Sequence, residues 1–266
     1  MNLTWDSEAE ETLRRVPFFV RHRVRKKVEE EVAAGGRDHV TLVDLEESKR
    51  RHLKRLSEGV KGYSLEACFG SSGCDNAVAA SADLIEDLEN LLKQADLLTF
   101  LRSKLGDRLK LHHQLRVTVA DCPNCCSQPQ IKDIGIIGQA RVTWKVEDCT
   151  GCGECTIACE ESAILLEDGF LVGIDEELCV GCGACSRLCP TDAITTAANG
   201  YRVLVGGKLG RHPQLARDLA YDLDVEQVLD LIGVIVDFFK TTAKSGERLG
   251  AVINRVGWEE FKESVL

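Results

Sequence analysis

Thiol side chains are the clearest chemical feature of this sequence. The chain has 13 cysteines, and all of them lie between Cys68 and Cys189. The first thirty residues are charged throughout and contain no apolar core of an export signal. In a reducing compartment thiols are kept from pairing as disulfides, so clustered cysteines there are more often metal ligands. The sequence therefore predicts metal sites in a cytoplasmic protein.

Eight of the cysteines form two runs of one pattern, "CTGCGECTIACE" at 149–160 and "CVGCGACSRLCP" at 179–190. Each reads C-x2-C-x2-C-x3-C, a spacing that supplies three thiolates to one [4Fe–4S] cluster and a fourth to another. Backbone N–H groups of a tight glycine-rich loop offset the negative charge of such a cluster. A zinc ribbon is the alternative, but zinc takes four ligands from two pairs and would leave the middle cysteines unused.

These runs resemble a two-cluster bacterial ferredoxin over about 145–199. One departure is Glu160, which stands where a proline usually follows the first run and removes no ligand. The resemblance implies that the fourth cysteine of each run crosses to the other cluster. One predicted cluster has the ligands Cys149, Cys152, Cys155 and Cys189. The other predicted cluster has the ligands Cys179, Cys182, Cys185 and Cys159.

Two shorter motifs hold the five remaining cysteines, "CFGSSGC" at 68–74 and "CPNCC" at 122–126. At these motifs the sequence resembles the sirohaem sulfite and nitrite reductases. In particular it is similar to the anaerobic sulfite reductase C subunit and the dissimilatory sulfite reductases, which also carry an inserted ferredoxin. The likeness covers most of 62–144 and 200–266, through "DIGIIG", "YRVLVGGKLGRHP" and "GERLGAVINRVGWEEF".

This resemblance implies a third [4Fe–4S] cluster coupled to sirohaem. Its predicted ligands are Cys68, Cys74, Cys122 and Cys126. In the family the last thiolate also bridges to the sirohaem iron, a role that falls to Cys126, with Pro123 and Asn124 setting the turn before it. A bridging thiolate makes cluster and macrocycle one electronic unit, which suits delivery of several electrons to one substrate. Cys125 is interpreted as a small apolar side chain.

Cations and glycines near the later motifs are the candidates for holding the macrocycle. Sirohaem is a polycarboxylate, so its pocket needs positive charges, and glycine allows close approach of the backbone. The main candidates are Asn124, Gly206, Gly207, Lys208 and Arg211. Weaker candidates, because most Lys and Arg side chains face solvent, are Arg116, Lys132 and Arg141.

Hydrophobic patterning predicts an α+β fold with a sulfite-reductase-like α/β domain. Apolar residues at helical spacing predict a helix over 76–105 that packs across a sheet. Residues 115–122 alternate as a strand that delivers Cys122 at its end, and 135–144 and 201–207 read as further strands. The predicted domains are a helical bundle at 1–60, a sirohaem and cluster domain at 61–144 and 200–266, and a ferredoxin insertion at 145–199.

The first 60 residues predict a small helical bundle. A capping box at Ser7 and Glu10 would begin the first helix, Pro17 would end it, and Thr41 would cap the third. Apolar residues repeat every fourth position in the second helix, at Val20, Val24, Val28 and Val32, before Gly35. The segment resembles the C-terminal domain of the light-independent protochlorophyllide reductase B subunit, through "RVPFFVR" and "DHVTL". The run "RHRVRKK" is interpreted as a solvated helix face, with contact to an acidic partner or a tetrapyrrole as the alternative.

One departure from the reductases concerns substrate binding. In that family a half-domain before the C-x5-C motif supplies several Arg and Lys residues that grip sulfite, and here a helical bundle takes its place. The catalytic residues are therefore left unassigned, and a second copy of the chain or a partner subunit is expected to complete the pocket. His112 and His113 are candidate proton donors, with a structural role as the commoner alternative.

Composition argues against two classes of function and leaves three hypotheses. A formal net charge of −10 argues against a general nucleic-acid binder, and the absence of about 18 consecutive apolar residues argues against membrane insertion. The favoured hypothesis is sirohaem-dependent, six-electron reduction of sulfite to sulfide, with nitrite as an alternative substrate and a low-potential protein as electron donor. The others are an iron–sulfur electron-transfer subunit of a larger reductase of nitrite or a tetrapyrrole, and a non-catalytic sirohaem-binding protein.

Overall fold

The computed structural model describes the backbone of residues 3–266 and, apart from residues 53–58 and 71, their side chains. By its internal contacts the chain divides into two units, Met1–Val60 and Lys61–Leu266. Within the described residues, no helix combines the length and the apolar character that crossing a membrane requires.

The smaller unit packs helices around two short parallel strands. In chain order its elements are β1 (Thr4–Trp5), α1 (Ser7–Arg14), α2 (Phe18–Ala34), β2 (His39–Val40) and α3 (Leu42–Glu58). The side chains of its apolar core are Leu13, Val28, Val32, Val40 and Leu45. Val28 and Val32 are buried and Val20 and Val24 are half-buried, so the valine stripe is confirmed in the second half of the helix. α2 ends at Ala34, with Gly35 as its C-cap.

The helix starts of the smaller unit differ from one another. Thr41 Oγ1 accepts a hydrogen bond from Asp44 N (3.3 Å), and the Asp44 carboxylate accepts one from Thr41 N (2.9 Å), which confirms the predicted cap of α3. The predicted capping box that begins at Ser7 is wrong, because α1 follows Asp6 and no side chain caps it. Asp6 Oδ1 instead lies 2.8 Å from His39 Nε2, which ties the start of α1 to β2.

The larger unit is built on a mixed five-stranded sheet. In chain order its elements are β3 (Tyr63–Ala67), α4 (Ala82–Gln94), α5 (Leu97–Leu105), β4 (Leu115–Ala120), β5 (Ile134–Trp144), α6 (Glu154–Ala158), β6 (Ile164–Glu167), β7 (Phe170–Ile174), α7 (Ala184–Leu188), β8 (Ile194–Val205), β9 (Arg217–Leu223), α8 (Val225–Thr242), α9 (Leu249–Val256) and α10 (Trp258–Val265). The sheet order is β3-β4-β5-β8-β9, with β3, β4 and β5 parallel and the remaining pairs antiparallel. β6 and β7 form a separate hairpin.

Helices cover one face of this sheet. Leucines of α4 and aliphatic or aromatic side chains of α8 pack on the apolar residues of β4, β5 and β8. Examples of these fully buried helix side chains are Leu84, Leu88, Leu92, Ile232, Ile235 and Phe239. Each such side chain contributes about 1.5–3 kcal/mol on burial, so this layer supplies much of the hydrophobic stabilisation of the unit.

The single helix predicted over 76–105 is wrong in its extent. Residues 76–81 are not helical, and the rest of the stretch forms α4 and α5 with a break at Asp96. Asp96 has a left-handed φ of +47°, and its Oδ1 accepts a hydrogen bond from Thr99 N at 3.4 Å. One short acidic side chain therefore both interrupts the helix and caps the next one, because Asp tolerates the left-handed region and is a preferred cap.

β5 and β8 form a long antiparallel ribbon. Their pairing runs from Ile134 opposite Val205 to Trp144 opposite Ile194. β8 therefore begins well before Tyr201, where the sequence placed the start of that strand. The chain leaves the ribbon after Trp144 and rejoins it at Ile194, so residues 145–193 form a module at the far end of the ribbon. The module that carries the two cysteine runs is thus joined to the sheet by paired strands and not by a flexible linker.

A buried ion pair fixes the start of β5 to the start of α9. Arg248 donates to the Asp133 carboxylate through Nε (3.1 Å) and Nη2 (2.7 Å), and Asp133 Oδ2 also accepts from Arg116 N at 2.9 Å. The Asp133 and Arg248 side chains are 1% and 16% exposed. Three donors compensate a carboxylate that has been removed from water, which a buried charge requires.

Asp133→Asn is expected to destabilise the fold by about 3–5 kcal/mol, because it leaves Arg248 as an unpaired charge with little access to water. Asp222→Asn is the matched control. It removes the exposed Arg141–Asp222 ion pair (2.8 Å) and should cost less than about 1 kcal/mol. The thermal midpoints of both variants, measured anaerobically on metal-loaded protein, test this difference. Equal shifts in the two variants would contradict it.

Candidate metal centres

Two parallel strands end beside each other and position the first cysteines. Ala67, the last residue of β3, lies opposite Val119 of β4, so both strands point their carboxyl ends at the same edge of the sheet. Cys68 follows β3 directly, and its backbone N–H donates to Val119 O at 3.0 Å. Cys122 follows β4 after a single intervening residue. The parallel pairing therefore brings together two cysteines that are far apart in sequence.

Two tight turns bring further thiols to this edge. A 3-10 turn at Gly70–Ser72 leads to Cys74, whose N–H donates to Gly70 O at 3.1 Å. A turn closed by Cys125 N and Cys122 O (3.2 Å) leads to the last cysteine of the motif. Burial raises the pKa of the Cys122 thiol, and three neighbouring thiols raise it further. Together these four form the strand-end set, Cys68, Cys74, Cys122 and Cys126.

The strand-end set has the donor chemistry of a cluster site. Cys68 Sγ accepts hydrogen bonds from Gly70 N (3.3 Å) and Asp121 N (3.2 Å), which stabilise the negative charge of a thiolate ligand. A Cβ at Gly70 would lie 2.4 Å from the Asp121 side chain, so this close turn needs glycine. Cys126 is the exposed member of the set. A group outside the protein backbone can therefore reach its sulfur.

A second group of thiols, the outer set, lies in the module at 145–199. One cavity is lined by all of its members, Cys149, Cys152, Cys155 and Cys189. Gly151 and Gly153 take left-handed φ values of +71° and +79°, which fold the loop tightly. Cys149 Sγ accepts from Leu171 N at 3.4 Å, and Cys189 Sγ accepts from Ile194 N at 3.4 Å. The fourth cysteine of the second run thus joins the first three of the first run.

A third group, the inner set, lines a cavity of about 270 Å³. Its members are Cys159, Cys179, Cys182 and Cys185. Burial raises the pKa of the Cys185 thiol to about 11, and the other three members raise it further. The same cavity is also lined by Cys122 and Asn124, so the inner set lies beside the strand-end set.

β5 supplies the contact between these two sets. Ala140 N donates to Gly181 O, in the loop of the inner set, at 2.8 Å. A Cβ at Gly183 would lie 3.0 Å from the Ala140 side chain, so the loop packs closely on the strand. Ala140 also forms a small buried cluster with Val78 and Cys122. Ala140 of β5 therefore contacts both the loop of the inner set and Cys122 of the strand-end set.

No three Cys, His, Asp or Glu side chains in the described part of the chain converge on one ion-sized position. The ligands of a cubane bind separate irons at its corners, so a [4Fe–4S] cluster does not ask its thiolates to meet at one point. Metal binding also releases the protons from thiols whose pKa is raised, as in all three sets.

The glycines predicted to contact the macrocycle are closely packed within the chain, whereas the two cations predicted beside them are less buried. A Cβ at Gly207 would lie 2.5 Å from Gln130 O, and Gly206 has a φ of +85° and lies against α9, so packing within the chain accounts for both. Lys208 pairs with Gln214 through backbone hydrogen bonds of 3.0 Å. Arg211 is exposed.

Two of the weaker cationic candidates are already paired. Lys132 is buried and forms an ion pair with Glu66, and Arg141 forms the exposed ion pair with Asp222. Arg116 is half-buried. The pair with Glu66 favours a structural role for Lys132, since a buried, paired cation has less attraction left for a ligand. The exposed Arg141–Asp222 pair is weak and leaves Arg141 available.

The two histidines lie away from the thiols. His112 and His113 precede β4 at Leu115, whereas Cys122 follows the other end of that strand. His113 Nδ1 accepts from Lys110 N at 3.0 Å, and burial lowers the pKa of this imidazole. Their positions contradict a role as proton donors at the strand-end set and favour the structural alternative.

Sequence reasoning missed Arg202 of β8. Its side chain is 18% exposed, and its Nη1 lies 3.8 Å from Asp218 Oδ1 in a long ion pair. Its Nε is buried without a hydrogen-bond acceptor among the described residues. Burial raises the pKa of the Cys125 thiol, and a hydrogen bond with Gln130 and the positive charge of Arg202 oppose that rise. The sequence offered one signal. Side chains alternate along a strand, and Tyr201 and Val203 are buried under the helices, so Arg202 between them lies on the opposite face of the sheet.

Comparisons with known proteins follow the same division of the chain. Residues 63–266 match the family model "Nitrite and sulphite reductase 4Fe-4S domain", and residues 5–49 match the model "Proto-chlorophyllide reductase 57 kD subunit". In its fold the chain is similar to dissimilatory sulfite reductase I, with a TM-score of 0.51 and 20% identity over 76% of this chain and 51% of that one. The expected sulfite-reductase-like α+β fold is confirmed.

Two curated relatives are sulfite reductases by name. The coenzyme F420-dependent sulfite reductase of Methanocaldococcus jannaschii is 32% identical over 82% of this chain and 33% of its own length. The anaerobic sulfite reductase C subunit of Salmonella typhimurium is 29% identical over 84% of this chain and 62% of its own length. The chain thus spans a third of the first relative and less than two thirds of the second. With its family match extending over 63–266, the chain belongs to the nitrite and sulphite reductase 4Fe-4S domain family.

Proposed function

We propose that the chain is the sirohaem-binding part of a sulfite reductase, with three [4Fe–4S] clusters, that reduces sulfite to sulfide by six electrons. The observation that carries the proposal is the strand-end set, in which an exposed Cys126 stands next to three less accessible thiols. Names of the relatives support sulfite over nitrite as substrate. Because the chain covers only part of each relative, the family match assigns the domain, and the reductase activity is our proposal.

In this proposal each thiol set holds one cluster. The strand-end set would bind the cluster that is coupled to sirohaem, and Cys126, the exposed residue of the set, would be the ligand shared with the sirohaem. When bound, the coupled pair would supply electrons to the sulfur of sulfite. The chain's own contribution is positional, since N–H donors at Gly70 and Asp121 hold the Cys68 ligand at a fixed place.

Electrons would pass from the outer set to the inner set and then to the strand-end set. The shared cavity beside Cys122, together with the contacts of Ala140, supports this order. The outer set would then be the entry point for electrons from a low-potential donor protein. The paired strands β5 and β8 would keep the distance between the sites constant during turnover.

Arg202 is our added candidate for a cofactor contact. An unsatisfied buried guanidinium donor is costly unless a ligand accepts from it, and sirohaem carries carboxylates that do so. Because a helical bundle stands where the reductases carry the half-domain that supplies sulfite-binding cations, we propose that positive charges for sulfite come from a second copy of the chain or from a partner subunit. The Salmonella typhimurium relative, which is named as one subunit of a reductase, supports an assembly of more than one chain.

An electron-transfer subunit without its own catalytic site is the second candidate. The observation that favours it is the ion pair of the buried Lys132 with Glu66, which occupies one of the cations that were predicted to hold the macrocycle.

An anaerobic absorption spectrum separates the two candidates. Protein expressed with a sirohaem supply is expected to show tetrapyrrole bands that shift on adding sulfite, and to produce sulfide under a low-potential reductant, because the bound cofactor would supply the site at which sulfite is reduced. Iron and acid-labile sulfide counts should correspond to three clusters. Cluster absorption without tetrapyrrole bands would contradict the reductase proposal and favour an electron-transfer subunit.

Neighbouring cysteines provide a matched pair of variants. Cys126→Ser is expected to lower sulfite reduction by about 100-fold or more, since ligands matter at least as much as the outer-shell groups that orient them. Cys125→Ser should retain activity within about threefold, because no cluster ligand is removed. Sulfide production and the electron paramagnetic resonance of the coupled site are the measurements. Equal losses in the two variants would argue against Cys126 as the bridge.

Arg202→Gln is expected to weaken sirohaem binding by about 10–100-fold, the value of one charge-assisted hydrogen bond. Arg217→Gln, a change of an exposed arginine on the neighbouring strand, is the control and should retain the cofactor. Sirohaem content after gel filtration, relative to cluster absorption, measures the effect. The same sirohaem content in both variants would remove Arg202 from the site.

A further inference from the structure

Negative charge is concentrated in the module that carries the outer and inner sets. Residues 145–199 contain eleven Asp and Glu residues against two Lys and Arg, so they hold a net −9 of the chain's formal −10. None of these carboxylates lies in an ion pair with a cation in the described part of the chain. Unpaired like charges repel one another and destabilise the compact state, so their retention needs another explanation.

Four of the acids surround the outer set. Each is adjacent in sequence to a residue that lines the outer cavity, and each is exposed. They are Asp148, Glu154, Asp168 and Asp192. Two of them, Asp168 and Asp192, have left-handed φ values of +50° and +56°, which hold them on tight turns at the cavity rim.

Exposed apolar side chains stand near these acids, on the loop and short helix that carry the outer set. Cys152 of the outer set is exposed, and a Cβ at Gly151 would lie 3.3 Å from the ring of Phe170, which is itself 50% exposed. Ile157, on the short helix that follows the loop, is 79% exposed. Exposed apolar side chains within a charged rim are typical of a protein-docking surface.

We propose that this outer face docks an electron-donor protein whose own redox centre is surrounded by basic residues and an apolar middle. The outer face is Asp148, Glu154, Ile157, Asp168, Phe170 and Asp192. Rim carboxylates steer a cationic partner toward the outer set, and the apolar middle excludes water at the closest approach. One electron leaves the donor and reduces the outer cluster. The inference rests on the proposed function, in that the outer set must hold a cluster.

Ferric cytochrome c, a basic haem protein, is the probe for this face. Full-length protein with its clusters is reduced, freed of excess reductant and mixed with cytochrome c in a stopped-flow instrument, so that a reduced cluster loses one electron and ferric haem gains it. The second-order rate constant is expected to fall steeply as ionic strength rises from about 20 mM to about 500 mM, because salt screens rim charges from the partner. A rate that is constant or rises with salt would overturn the proposal.

Charge variants locate the effect. The rim variant D148N/E154Q/D168N/D192N should lose about tenfold in rate at low salt and most of the salt dependence. Asn is tolerated at the left-handed positions, so the turns are retained. The control D237N/E259Q/E260Q/E263Q removes the same charge from exposed positions on α8 and α10 and should stay within about twofold. Equal rates in the two variants would overturn the proposal.

A third variant tests the apolar middle independently of charge. Ile157→Ser is expected to lower the rate by about threefold or more at every salt concentration, since it removes apolar contact and leaves the rim charge unchanged. A rate equal to that of the unmodified protein would contradict an apolar docking contact. Cluster absorption is recorded for each variant before mixing. Because this electron transfer needs neither sirohaem nor sulfite, loss of the proposed reductase activity and loss of docking give different results.

Discussion

The parallel pairing of β3 with β4 is the constraint on which the candidate site depends. It places Ala67 opposite Val119, so that Cys68 and Cys122 emerge at one edge of the sheet. A shift of that register by one residue would turn every buried side chain of β4 to the other face, which the packed α4 and α8 layer opposes. Burial of apolar side chains under the helices therefore fixes the register of β3 and β4, and that register fixes the positions of Cys68 and Cys122 at the edge of the sheet.

The β5–β8 ribbon extends this control to the acidic module. Eleven pairs of residues join the two strands, and Ala140, within the ribbon, touches both the inner loop and Cys122. The module thereby belongs to the same rigid framework as the sheet. Electron transfer between sites is sensitive to distance, and a framework of paired strands fixes distance better than a linker would.

Local patterns in the sequence predicted the central strands, part of the valine stripe and the cysteine runs, whereas the assignment of cysteines from distant motifs to one set followed from the family resemblance. The break at Asp96 was missed, since apolar spacing continues through it and only a left-handed backbone interrupts the helix. Gly206 and Gly207 were predicted as cofactor contacts, and the structure adds a second constraint that the sequence does not show, close packing against α9 and Gln130. Arg202 was missed because its importance follows from an unsatisfied buried nitrogen, which depends on what the neighbouring strands and loops place around it.

The spacing of ligands along the chain also has a consequence for assembly. The ligands of the inner set span 26 positions (Cys159 to Cys185) and those of the outer set 40 (Cys149 to Cys189), whereas those of the strand-end set span 58 (Cys68 to Cys126). Closing the longer loop costs more chain entropy, and it requires β3 and β4 to have paired first. The acidic module can therefore gather its ligands while the sheet is still forming. Delivery of iron and sulfide to the strand-end set has to wait for a nearly complete fold, so a maturation factor acting there would meet a folded surface.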